Sequence, residues 1–127
     1  MSGAANSEVG GVGDFESLMQ QLLRFRDERD WQQFHTPRNL AASVVIEAAE
    51  VLEHFQWARD GEPLSDDCRF AISKELADVL IYLLLLCHEL GVDLLRAARQ
   101  KVAENAERFP IEEAKGRAWS NKPGLCR

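Results

Sequence analysis

Glu47 and Glu50 form one pair of acids separated by two residues, and Glu75 and Asp78 form a second. On a helix, residues three apart share a face about one turn apart, so each pair would project two carboxylates in one direction. Ala48, Ala49, Leu76 and Ala77 lie between the acids, with further apolar residues on either side, which weakens the reading of a purely solvated face. Carboxylates held together away from water are costly unless a cation sits between them or one of them takes a proton. Two such pairs supply four oxygen donors, the ligand set of a hard divalent cation, Mg²⁺ with Mn²⁺ as the alternative, rather than zinc. A di-iron carboxylate centre would need Glu-x-x-His, and none of His35, His54 and His88 has a Glu three residues before it.

The acids belong to longer stripes. Glu47, Glu50, His54 and Trp57 follow one another at spacings of three, four and three; Glu75, Asp78 and Tyr82 form a second stripe, and Lys101, Asn105 and Arg108 a basic third. Any one stripe alone also fits the solvated face of an amphipathic helix, and for Lys101 with Arg108 that is the commoner meaning. Together they fit a polyphosphate, bridged by a cation to the acids and neutralised elsewhere by Lys and Arg. Trp31 and His35 fall at a helix end and in a loop, where ligand contacts concentrate. A flat ligand held among Trp31, Trp57 and Tyr82, its phosphates on a metal, describes a nucleotide pocket. His54 reads as a surface histidine, with orientation of a neighbouring carboxylate as the alternative. Cys68 and Cys87 read as small core residues.

The elements that must position these residues are helical. Asp14 is a candidate N-cap for a helix to about Gln33, carrying Phe15, Leu18, Met19, Leu22, Leu23 and Phe25 at helical spacing. Thr36 and Pro37 open a second, to about Arg59, closed by Asp60-Gly61-Glu62-Pro63. Ser65 caps a third over 66–90, stopped by Gly91. Asp93 opens a fourth, to about Phe109 before Pro110. No segment alternates with period two, so the expected fold is an all-α four-helix bundle over residues 14–110, with 1–13 a disordered leader and 111–127 a loosely ordered tail. The third helix is apolar around nearly its whole girth from Val79 to Cys87, and a helix of that kind must be covered on every side. A second copy of the chain is the expected cover, hence a homo-oligomer.

With 127 residues, the chain has the length of one domain. A net charge of −6 argues against nucleic acid or an anionic membrane as partner. Three cysteines, widely spaced and without a C-x-x-C pair, suit a reducing cytosol, and no run reaches the roughly 20 apolar residues of a membrane span. A cytoplasmic protein is expected.

The residues also resemble a family. The pattern Glu47-x-x-Glu50 then Glu75-x-x-Asp78 is similar to the metal motif of the MazG-like all-α nucleoside triphosphate pyrophosphohydrolases. Closer resemblance is to their dCTP pyrophosphatase branch, carried by Arg29-Asp30-Trp31-x-x-Phe34-His35-x-Pro37-Arg38-Asn39-Leu40, Phe55-Gln56-Trp57, Asp78-Val79-Leu80-Ile81-Tyr82 and Lys101-x-x-x-Asn105-x-x-Arg108-x-Pro110. The resemblance covers about residues 15–110. It implies Mg²⁺-dependent hydrolysis of a nucleoside triphosphate, dCTP or a modified dCTP, to the monophosphate and pyrophosphate, a nucleotide-pool sanitation activity. By position it makes Glu47, Glu50, Glu75 and Asp78 the metal ligands, with Glu47 or Glu50 also the catalytic carboxylate. It makes Lys101, Asn105 and Arg108 phosphate contacts, and Trp31, His35, Trp57 and Tyr82 contacts to base and sugar. It implies a dimer or a dimer of dimers (a homotetramer) with sites between subunits.

One position departs from the branch. The eukaryotic dCTP enzymes carry a histidine about nine residues before the tryptophan that helps line the base pocket; Leu22 stands there in this chain and cannot hydrogen-bond. Base preference is therefore expected to be broader. A nucleotide-binding helical module or scaffold without turnover would use the same pocket.

Overall fold

Thr36, Ser65 and Asp93 each open a helix by the same device. The side-chain oxygen accepts a hydrogen bond from the backbone N–H three residues on: Asn39 N to Thr36 Oγ1 at 3.2 Å, Cys68 N to Ser65 Oγ at 3.1 Å, and Arg96 N to Asp93 Oδ1 at 3.1 Å. Each cap satisfies a donor that the helix itself leaves orphaned. The computed structural model describes residues 12–117. Within them the helices are α1 Val12–Glu28, α2 Pro37–Glu53, α3 Asp66–Leu90, α4 Leu94–Arg108 and the short α5 Ile111–Ala114, and no strand is present among the described residues. The expected all-α class with four main helices holds.

The starts of α2, α3 and α4 and the two glycine- or proline-marked stops agree with the spacing; the start of α1 and two other stops do not. α1 ends at Glu28 and not near Gln33. Its final carbonyls are closed by Trp31 N to Arg26 O at 3.1 Å and Asp30 N to Asp27 O at 3.1 Å, with Asp30 at φ 53°. That is a Schellman ending with aspartate in the left-handed position usually given to glycine. The same ending closes α3, where Gly91 has φ 66° and Val92 N reaches Cys87 O at 2.9 Å. α2 ends at Glu53 and not near Arg59, giving way to turns stitched by Phe55 N to Leu52 O and Ala58 N to Phe55 O. At the chain ends, α1 begins at Val12, two residues before the expected cap, and 111–114 is helical within the expected loose tail. Most of the expected leader, residues 1–11, and positions 118–127 with Cys126 lie outside the described residues.

The chain divides into two compact units at Val92–Asp93. In the first, α2 packs along α3, and α1 also lies against α3. The core there is Leu40, Ile72, Leu84 and Leu85, of which Leu40 is 1% exposed. Of the four successive leucines of α3, Leu84 and Leu85 are buried while Leu83 and Leu86 are half-buried. The second unit holds α4 and α5. No helix among the described residues is long and apolar enough to cross a membrane.

Candidate active site

The packing of α2 along α3 brings the two acidic pairs together. One carboxylate oxygen each from Glu47, Glu75 and Asp78 lies within 4.8 Å of the other two. Glu50 lies on the α2 side, near enough to Glu47 and Glu75 to raise the pKa of both. Three of the four expected ligands, one from α2 and two from α3, thus have oxygens in one group, and Glu50 neighbours that group without an oxygen in it.

The electrostatics are those of an anion cluster lacking a counter-charge. Glu47 is pushed up to about 7 by its contact with Glu50, then by burial, then by the charges of Glu50, Asp78 and Glu75. Glu75 is also raised, chiefly by Glu50, while its bond with His54 works in the opposite direction. Glu47 Oε2 is buried with no hydrogen-bond partner. A buried anionic oxygen facing three other carboxylates takes either a proton or a cation, so these residues fit a hard divalent ion. His54 is not a plain surface histidine: its Nε2 lies 3.5 Å from Glu75 Oε1, and it orients that carboxylate from the end of α2.

Beside the cluster is a cavity of about 200 Å³ between α1 and α3. Trp31, His35 and Tyr82, three of the four residues expected around a base, line it, together with Leu22, Phe25 and Arg26. Ile81 and Leu85 close the α3 side. Phe25 and Trp31 meet edge to face, centroids 5.7 Å apart, and the Arg29 guanidinium stacks 3.6 Å above Phe25. The 3₁₀ turn Gln32–Phe34 carries the chain from Trp31 to His35, held by Phe34 N to Trp31 O at 2.9 Å and Asn39 Nδ2 to Phe34 O at 3.0 Å. His35 has its pKa lowered by burial and by the Arg26 charge, and its Nδ1 is buried without a partner. Tyr82 belongs to both regions. It lines the cavity, and burial, followed by the charges of Glu47, Asp78 and Glu50, raises its pKa.

The structure does not bring Trp57 to this cavity. It lies beyond the end of α2, 88% exposed. Lys101, Asn105 and Arg108 lie on α4 in the second unit, with Lys101 Nζ 3.6 Å from Glu104 Oε2 and the Arg108 guanidinium 5.4 Å from the Phe109 ring. Arg26 was not singled out by the sequence. A lone arginine in the charged last turns of α1 carries no spacing signal, yet it is 5% exposed and lines the cavity.

Residues 42–121 match the sequence model of the MazG-like family. The chain is 42% identical over 107 residues to dCTP pyrophosphatase 1 of Rattus norvegicus and 43% identical over 104 residues to that of Homo sapiens. Those alignments cover 81% and 79% of this chain, and the chain spans 63% and 61% of the two relatives' lengths. Against dCTP pyrophosphatase 1 of Mus musculus the identity is 38% over 138 residues, covering 93% of the chain and 81% of the relative. Among solved structures, a pyrophosphatase from Archaeoglobus fulgidus DSM 4304 superimposes with a TM-score of 0.65 at 42% identity, covering 75% of this chain and 91% of that one.

Proposed function

The chain belongs to the MazG-like family, and we propose that it hydrolyses a pyrimidine nucleoside triphosphate, dCTP first, to the monophosphate and pyrophosphate with a divalent cation, Mg²⁺ or Mn²⁺. The observation that carries this reading is the contiguity of the carboxylate cluster of Glu47, Glu75 and Asp78 and the aromatic cavity through Tyr82. A base in the cavity would put its phosphates toward the acids. The names of the rat, mouse and human relatives point the same way.

Glu47, Glu50, Glu75 and Asp78 would hold the cation, which when bound supplies Lewis-acid polarisation of phosphoryl oxygens and of water. Glu47 or Glu50 would orient the attacking water and take its proton. His54 keeps Glu75 in register. The cavity wall of Phe25, Trp31 and Tyr82 grips the base and keeps water from it. The family resemblance assigns Lys101, Asn105 and Arg108 of α4 to phosphate contact, where they would neutralise charge on pyrophosphate.

The working form is a homo-oligomer in which Trp57 completes a site on a second subunit. Large apolar side chains left bare on α2 and α3 support this: Val45, Ile46, Leu52, Phe70 and Leu76 are 53–68% exposed. A cytoplasmic location accords with the free Cys68 and Cys87.

The test is pyrophosphate release by the wild-type chain across deoxy- and ribonucleoside triphosphates with Mg²⁺. Release fastest from dCTP is expected. Absence of release from every one would leave a nucleotide-binding module, and equal rates with purines would remove the base preference. Sedimentation of a stable monomer at micromolar concentration would overturn the oligomer.

A further inference from the structure

Arg26 is a buried charge that the proposed hydrolysis leaves unused. It is 5% exposed, lines the cavity, and stands four residues, one helical turn, from Leu22 on the same face of α1. Two ion pairs hold it: Nε donates to Asp27 Oδ1 at 2.8 Å and Nη1 to Glu89 Oε1 at 3.3 Å. The second pair ties α1 to the end of α3 and accounts for a structural role. It does not account for the whole fork, since a guanidinium carries five N–H donors and these two bonds engage neither hydrogen of Nη2. His35, which also lines the cavity, has its Nδ1 buried without a hydrogen-bond partner. Burial and the Arg26 charge disfavour the charged form of His35, and a neutral imidazole keeps one ring nitrogen as an acceptor.

We propose that Arg26 is the residue that reads the base, its guanidinium donating to the adjacent ring-nitrogen and carbonyl acceptors of cytosine while His35 accepts from the exocyclic amine. This rests on the nucleotide reading of the cavity and assigns its specificity. Cytosine offers two neighbouring acceptors and one donor along its pairing edge. Uracil and thymine turn an imino N–H toward the arginine, so a donor meets donors. Guanine has a suitable acceptor pair, N7 and O6, but carries a second ring. At about 200 Å³ the cavity falls below the roughly 300–1,000 Å³ that houses a whole small ligand, and it seats a single ring. Arg26 thus replaces, one turn along α1, the polar contact that Leu22 cannot make.

The experiment uses Arg26→Lys and Arg26→Gln in the full chain, with kcat/KM measured for dCTP, dTTP and dGTP and the affinities of dCMP and dTMP measured by titration calorimetry. Lysine keeps the charge and can still pair with Glu89 but lacks the planar fork. If Arg26 reads cytosine, the dCTP-to-dTTP ratio falls about tenfold or more in both variants, the range lost with one bidentate base contact. The dCMP-to-dTMP affinity ratio falls with it. A lysine variant that keeps the wild-type ratio would overturn the assignment, since only the ion pair would then matter. So would dGTP as the best wild-type substrate. The calorimetry separates the two proposals. A chain that prefers dCMP through Arg26 yet turns over no triphosphate sinks the hydrolase reading and upholds the arginine. A chain that hydrolyses dCTP while binding dCMP and dTMP alike sinks the arginine alone.

Discussion

The four carboxylates stand on uninterrupted helix, whereas Trp31 and His35 of the neighbouring cavity stand on a turn that leaves α1 through a left-handed aspartate. Each acid pair is fixed by the three-residue period of its own helix, and one helix–helix contact brings the pairs together. The cavity needs a helix stop, a 3₁₀ turn and a buried arginine paired with Glu89 of another helix. Its geometry is a tertiary product, and its chemistry is correspondingly easier to retune. Substitutions in the cluster should therefore act on turnover itself, and substitutions in the cavity on which base is bound and how tightly.

The largest expected effect is in the cluster. Asp78→Asn or Glu50→Gln should lower kcat for dCTP at least about a hundredfold, more than the 10- to 100-fold typical of residues that merely orient metal ligands. The fold should be kept: removing one of four like charges relieves repulsion, so the melting temperature without a divalent cation holds or rises. Near-normal turnover in either variant at saturating Mg²⁺ would break the comparison.

Trp31→Ala comes next. Base stacking is worth about 1–3 kcal/mol per base by truncation, so KM for dCTP should rise about fivefold or more with kcat little changed, because stacking is shared by ground and transition states. Trp57→Ala should follow the same pattern only if a second subunit carries this exposed ring to the base; an unchanged KM would confine the pocket to the residues of one chain.

How much of this the sequence made legible follows the same division. The acids, the caps at Thr36, Ser65 and Asp93 and the stop at Gly91 are local features with a fixed spacing or residue type, and each stands where the chain chemistry put it. The stop of α1 was missed because aspartate occupies the position glycine usually marks, with charged residues continuing the helical pattern through it. Placing Trp57 on the helical stripe failed for a related reason: α2 ends at Glu53, before the Asp60-Gly61 breakers. Arg26 was invisible because its meaning lies in Glu89 and His35, which are distant along the chain.

The turn itself can be probed at Asp30. An alanine there must hold φ 53° against its Cβ without the aspartate's bond from Gln33 Nε2, so Asp30→Ala should cost about 1–2 kcal/mol. Asp30→Gly should cost less than Asp30→Ala in denaturant melts, the reverse of their order inside a helix. Equal or inverted costs would mean that the left-handed turn is not what ends α1.

A smaller effect concerns pH. The Glu47 carboxyl rises from 4.5 to about 7 in the folded chain, so across that window the folded state holds more proton than the unfolded one. Without a divalent cation, stability should therefore fall as pH rises through it. Glu75 pushes the same way; His35, with its pKa lowered, pushes the other. The contribution is read as the difference between wild type and Glu47→Gln in melting temperature against pH, with the variant showing the shallower decline. Parallel profiles would mean that Glu47 titrates normally.

The central claim is that cluster and cavity serve one substrate, so the two must be coupled. Titration calorimetry of Mg²⁺ into the chain, with and without a non-hydrolysable dCTP analogue, measures that coupling directly. Mg²⁺ should bind about 5- to 150-fold more tightly when the analogue is present, and Asp78→Asn should abolish the gain. Mg²⁺ affinity indifferent to the analogue would contradict the account, leaving an acidic cluster and an aromatic cavity that are merely neighbours.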